Sequence, residues 1–82
     1  MNILKGADNT KSLNSIDVGE SAEIAELLTK GSTRRRLLDI GLTPNTTVEC
    51  VGKSPSGDPK AFLIRGAVIA IRSEDCAEIL IK

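Results

Sequence analysis

Residues 54–72 read SPSGDPKAFLIRGAVIAIR, and the path of the chain through them decides the fold. Two prolines and a glycine fall within the first six positions, so 54–59 reads as a loop. Each proline fixes its own φ and removes an amide donor, a pattern that neither a helix interior nor an inner strand accommodates. Two short apolar runs follow, 61–65 and 68–72, divided by Arg65-Gly66-Ala67. Within them the apolar residues alternate. Phe62 and Ile64 share one face, and Ile69 and Ile71 share the face that would match it. Gly66 takes a positive φ without steric penalty, as a tight hairpin link requires. The stretch predicts a β-hairpin entered through a stiff loop.

Working outward, 46–53 also alternates, with Val48 and Cys50 on one side and Thr47, Glu49 and Val51 on the other, and it reads as a strand. Residues 32–41 read as a helix. Ser32 or Thr33 stands where a side-chain oxygen caps a first-turn amide. Leu37, Ile40 and Gly41 share a face, Leu38 leans off it, Gly41 suits a left-handed stop and Pro44 forbids extension. Leu37, Ile40 and Leu42 are expected in the core. Residues 20–31 admit two readings. Ile24, Leu27 and Leu28 at i, i+3 and i+4, with Gly31 as the stop, make a helix. Period two puts Ala22, Ile24 and Glu26 together and makes a poorer strand. Propensity favours the helix.

Leu13 and Ile16 suggest one helical turn, followed by a tight turn at Asp17-Val18-Gly19. At the other end Ser73 is placed to cap a short helix running to Ala77, with Glu74 and Asp75 in its positive first turn. Residues 78–81 return as a last strand with Ile79 and Ile81 inward. Residues 1–11, with Gly6, Asp8, Asn9 and Thr10, read as a flexible tail or an extra strand over 2–5. The whole is mainly β with short helices: a small closed β-barrel and a single domain over 12–82, since closure removes edges and gives a short chain one core.

Composition narrows the function. The chain has 82 residues, 40% hydrophobic and 27% charged, ordinary values for a globular domain. Eleven basic residues balance eleven acidic ones, which argues against broad attraction to nucleic acid or an anionic membrane. One Phe is a poor supply of stacking platforms for single strands. With no His, the commonest general base and metal ligand is missing, and no nucleophile stands beside a base; the chain does not read as an enzyme. Cys50 and Cys76 form no Cys-x-x-Cys pair, so no zinc site is expected and no cofactor is assigned. Cys50 alternates inward and is expected to be buried; for Cys76, its place on the short helix leaves partial exposure open. Asp39, Asp58, Glu74 and Asp75 offer at most weak divalent-ion binding, at no recognised spacing. No apolar run reaches membrane-spanning length and no signal-type apolar region follows Met1-Asn2-Ile3-Leu4. A cytoplasmic protein is expected, with two reduced, mostly buried thiols and no direct insertion into a membrane.

Three motifs carry a resemblance. Arg36-Leu37-Leu38-Asp39-Ile40-Gly41-Leu42-Thr43-Pro44 resembles the helix-to-turn motif of FeoA domains. Ser54-Pro55-Ser56-Gly57-Asp58-Pro59 resembles the family's Pro-x-Gly-Asp-Pro loop, and Ile69-Ala70-Ile71-Arg72 with the acidic short helix after it resembles the family's last third. The order and spacing match from about residue 12 to 82. The resemblance implies an SH3-like β-barrel, and it implies that 20–28 is the first barrel strand, against propensity. It also implies a cytosolic companion of FeoB, a membrane ferrous-iron transporter with a G-protein domain. The same domain type at the end of metal-dependent repressors implies the alternative of a metal-responsive regulatory domain. The turn after Thr43-Pro44 usually carries Gly; Asn45 stands there, and Asn tolerates the left-handed region, so the turn is expected to form.

Candidate partner-binding residues follow from residue type. Arg34 and Arg35, in the run Arg34-Arg35-Arg36, read as a solvated helix face or as forks for a partner's carboxylates. Leu38 reads as an apolar anchor beside them. Pro55, Gly57, Asp58 and Pro59 read either as a stiff strand-to-strand crossing or as a recognition loop that loses little entropy on binding.

Overall fold

The computed structural model describes residues 11–82. The expected tail or extra strand over 1–11 therefore lies outside the described residues, Lys11 excepted. A 3-10 turn, Leu13–Ser15, is followed by β1 (Ser21–Leu27), α1 (Gly31–Asp39), β2 (Thr47–Lys53), β3 (Lys60–Ile64), β4 (Ala67–Ile71), α2 (Ser73–Cys76) and β5 (Ile79–Ile81). The strands form one antiparallel sheet in the order β4-β3-β2-β1-β5. The hairpin read from 61–72 is present: Phe62 pairs with Ile69 and Ile64 with Ala67. The fold is mainly β and SH3-like, but the sheet is not closed. β4 and β5 are its two edges.

Within 20–31 the chain forms a strand over Ser21–Leu27 and no helix before Gly31, and the structure explains why the stretch looks helical. The first part of β1 pairs with β2, through Ser21↔Glu49, Ala22↔Val48 and Glu23↔Thr47. The second part pairs with β5, through Ile24↔Ile81, Glu26↔Leu80 and Leu27↔Ile79. The register shifts between Ile24 and Glu26, leaving Ala25 as the extra residue of a bulge. The bulge resets the alternation, so Ile24 and Leu27 both face the core. Their i, i+3 spacing is that of a bulged strand. Leu28, the i+4 member of the helical pattern, is 44% exposed.

The core gathers residues from every element. Leu13, Ile24, Leu37, Leu42, Val48, Phe62, Ile64 and Ile79 are fully enclosed, and Ile71 and Ile81 nearly so. Ile40 and Ile69 are partly buried against them. α1 starts at Gly31 (φ +60°), so this glycine opens the helix where a stop was expected. No side-chain cap is made by Ser32 or Thr33; Lys30 holds the cap position. The other end matches the reading. Gly41 (φ +106°) donates to Leu38 and Leu42 N–H reaches Leu37 C=O at 3.0 Å, the paired closure of a left-handed helix stop. Asn45 takes φ +74°, so the turn forms without glycine, and its amide bonds the Ile24 carbonyl at 2.7 Å.

Both thiols are free and buried. Cys76, where partial exposure was open, is completely buried. It is the inward residue of α2, at 0% exposure, with Sγ 3.7 Å from the Ile71 carbonyl oxygen. Burial pushes the thiol from the ordinary 9.0 up to about 12. The unfolded thiol ionises above 9.0 while the folded one stays protonated, so this contribution to stability is intact below pH 9.0 and is lost as pH rises toward about 12. Urea midpoints measured across that window should fall with pH, and Cys76→Ala, though less stable throughout, should fall less steeply. Equal slopes would remove Cys76 as the source.

Candidate partner-binding surface

The first candidate surface is built on α1. Gly31, Arg34, Arg35, Leu38 and Asp39 recur at three- and four-residue spacing and so share one helix face. Together they line a shallow groove of about 250 Å³. Leu37 turns into the core, while Leu38 is half-buried and forms the apolar part of the groove. Arg34 is held: its Nη1 donates to the Leu27 carbonyl at 3.2 Å, tying the helix to the end of β1. Arg35 is exposed, and no hydrogen bond or ion pair among the described residues engages it. Here the structure joins three expected residues, two guanidinium groups flanking one apolar side chain.

The 54–59 loop is a separate place, and its polar side chains are bonded within it or to Ser73. Ser54 Oγ accepts the Asp58 amide at 3.1 Å and donates to the Asp58 carbonyl at 2.7 Å. Gly57, at φ +91°, donates to the Ser54 carbonyl, and Ser54 donates to the Pro59 carbonyl. The Asp58–Pro59 peptide is cis. The Asp58 carboxylate accepts from Ser73 N at 2.8 Å and from Ser73 Oγ at 3.0 Å. Ser73 was expected to cap α2 from within. Instead Arg72 holds the cap position without a side-chain bond, and a carboxylate from the preceding loop takes the first-turn amide. Pro55, Gly57 and Asp58 line neither groove. Pro59 lines a second groove with Thr33, Arg36, Ala70, Arg72, Glu74 and Asp75.

Two residues not singled out in the sequence hold these parts together. Lys60 Nζ donates to the Asn14 carbonyl at 3.0 Å and to the Ile16 carbonyl at 2.7 Å, closing the end of the 3-10 turn. Arg65 takes φ +49°, beside Gly66 at +86°; the sequence pointed only to the glycine. The Arg65 side chain crosses Gly41, with Nε 3.3 Å from the Gly41 carbonyl and Nη2 3.3 Å from both Thr43 Oγ1 and Thr46 Oγ1. A Cβ at Gly41 would stand 2.6 Å from Arg65 Cδ. A cation far along the chain from the groups it bonds leaves no local signal. Among the described residues, no three of His, Cys, Asp and Glu come together as a metal site would need. No helix among them is long and apolar enough to cross a membrane.

Comparison with known proteins places this geometry in a family. The FeoA domain model matches residues 11–82. The chain belongs to the FeoA family. Over 70 residues it is 29% identical to an Fe(2+) transport protein A/Fe(2+) transporter FeoB fusion protein of Porphyromonas gingivalis, covering 85% of the chain but 8% of that much longer protein. The solution structure of a FeoA protein from Chlorobium tepidum superimposes with a TM-score of 0.81 at 26% identity, covering 85% of this chain and 67% of that one. Two more distant structures share the fold. One is the zinc complex of Stenotrophomonas maltophilia FeoA, described as an SH3 domain protein (TM-score 0.75, 20% identity, 87% and 88% of the two chains). The other is a manganese-dependent transcriptional repressor (TM-score 0.76, 14% identity, 88% and 40%).

Two substitutions test these local anchors. Gly41→Ala imposes a positive φ on a side chain and displaces Arg65, and should cost at least about 2 kcal/mol in urea unfolding. In the background of Arg65→Ala the same change should cost less, because the steric part is gone. Asp58→Ala removes the acceptor of two Ser73 bonds and should cost about 1 kcal/mol, with Asp58→Asn costing less, since its amide oxygen still accepts from Ser73 N. Additive costs at Gly41 and Arg65, or an unchanged midpoint in Asp58→Ala, would contradict the contacts described.

Proposed function

We propose that this protein is a non-enzymatic accessory module of ferrous iron uptake that works in the cytoplasm by binding the cytosolic part of a FeoB-type transporter. The observation that carries the reading is the fusion in the Porphyromonas gingivalis relative, whose name joins a protein A part to the FeoB transporter in one chain. Fusion raises the effective concentration of two modules for one another, an advantage only where they meet. The description of the Stenotrophomonas maltophilia structure as a candidate ferrous iron transport activating factor points the same way for that protein.

The α1 groove supplies a suitable contact. Leu38 is an apolar anchor that a partner can cover, and Arg34 and Arg35 beside it match carboxylates on that partner. The chain has no His, and its two thiols are buried, which supports a binding role over a catalytic one. A metal-responsive regulatory domain is the alternative, favoured by the fold shared with the manganese-dependent repressor. Stoichiometric binding of ferrous or manganous ion would decide for it.

Calorimetric titration into the purified cytosolic domain of the same organism's FeoB-type transporter, with and without guanine nucleotide, tests the proposal. The expected result is saturable one-to-one binding, weakened about tenfold by Leu38→Ala. Val18→Ala, an exposed apolar residue outside the groove, should leave it unchanged. No heat in any nucleotide state overturns the reading.

A further inference from the structure

The free edge of β4 is a second surface, and the hairpin geometry says which groups it offers. Among the described residues β4 pairs with β3 alone. Arg65 and Gly66 both take positive φ, so their link is a type I′ turn. Such a turn returns the Ala67 N–H to the Ile64 carbonyl. Alternation along the antiparallel pair then directs Ile69 and Ile71 toward β3, and turns the N–H and C=O of Val68 and Ala70 outward. None of these four outward groups is taken up by a loop or turn among the described residues.

Sheet edges are normally guarded by charge, proline or a bulge. β4 reads AVIAI, its register with β3 is unbroken, and it has none of these guards. Val68 is 62% exposed. Beside this edge lies a groove of about 460 Å³ that brings Arg36 of α1 together with Ala70, Arg72, Glu74 and Asp75. No ion pair among the described residues joins these four charges. Two cations and two anions kept apart in one concavity leave a place for a carboxylate and a place for an ammonium group.

We propose that the β4 edge and this groove accept an extended peptide segment of a partner protein as a sixth strand, antiparallel to β4, with its backbone on Val68 and Ala70 and an acidic side chain on Arg36 and Arg72. Main-chain bonds give such strand addition its affinity and flanking side-chain sites its selectivity. β4 runs from Ala67 toward Arg72 and then Glu74 and Asp75. An antiparallel strand thus begins beside the two carboxylates, which favours a basic residue first and the acidic one next. Apolar, β-branched residues follow, against Val68. A second copy of this chain fits less well. Pairing Val68 with Ala70 of another β4 puts the two-fold axis at Ile69 and sets Arg72 opposite Gly66, in a stretch without a carboxylate. The surface is distinct from the Leu38 groove and stands whether or not that groove binds a transporter.

The test uses the peptide acetyl-Lys-Glu-Thr-Val-Thr-Val-amide, titrated into the full-length 15N-labelled protein. Saturable amide shifts should centre on Val68 and Ala70, and hydrogen exchange of those two amides should slow at least about tenfold. N-methylation of one alternate set of peptide residues should abolish binding, and methylation of the other set should not. Exchanging the Lys and Glu of the peptide, or Arg36→Glu in a protein whose spectrum is otherwise retained, should weaken binding about tenfold. Absence of shifts at Val68 and Ala70 at millimolar peptide overturns the proposal, as does equal tolerance of both methylated series. Protection of those amides that grows with protein concentration, without peptide, overturns it in favour of self-association.

Discussion

The structure depends on β1 being shared. A single seven-residue strand pairs with β2 through its first half and with β5 through its second, and the bulge at Ala25 is what permits the change of partner. A bulge bends a strand and increases its twist. Here the bend brings the last strand of the chain onto the far side of the first, so that Ile79 and Ile81 meet the same core as Phe62 and Ile64. Without it β1 would continue flat beside β2, β5 would have no place, and the core would lose one wall. The turn at 43–46 follows the same logic. Ile24, at the start of the bulge, exchanges backbone bonds with Asn45 and Thr46 and not with β2 proper, so the connection after α1 docks where β1 changes partner.

A chain this short buries a modest core, and polar cross-links supply much of its definition. Three of them have one design: a charged side chain from the β2–β3–β4 meander reaches a backbone group in another segment. Lys60 closes the 3-10 turn, Asp58 caps α2, and Arg65 spans the stop of α1 and the turn after it. Charged groups bonded to otherwise unpaired backbone ends are stronger than neutral pairs. They also fix loops whose own sequence sets no single conformation. Gly41 belongs to this system twice, through its left-handed φ and through the bare surface over which Arg65 lies.

How legible this was depends on where the signal resides. The hairpin of 61–72 is written in local alternation and could be read with its register face correct. The stop of α1 is written in Gly41. The strand at 21–27 is not local. Its inward residues are spaced by a bulge at the point where the strand changes partner, and only resemblance to a family indicated it. Gly31 and Ser73 each carry a sound local preference, for stopping or capping a helix; Gly31 follows a strand and opens α1, and at Ser73 the Asp58 carboxylate takes the first-turn amide. The depth of Cys76 stayed open because a four-residue helix has too few positions to reveal its inward side. Of the candidate surface, Arg34, Arg35 and Leu38 could be grouped by helical spacing. Arg65 and Lys60 could not be found, since their partners lie far along the chain, Thr46 at 19 residues being the nearest.

The division of labour between loop and helix follows from these anchors. A proline-rich loop on a small barrel invites a recognition role, because stiffness lowers the entropy lost on binding. In this chain the loop's Ser54, Ser56 and Asp58 side chains are already bonded, within the loop and to Ser73 beyond it, so its stiffness serves the β2–β3 crossing and the start of α2. α1 is the reverse case. It is pinned at one end by Arg34 on Leu27 and at the other by the Gly41 stop under Arg65, yet the outer face between these points is left open. A short helix held at both ends loses as little freedom on binding as a stiff loop, and it has unspent side chains to bind with. The fold thus fixes α1 without consuming the side chains on its outer face.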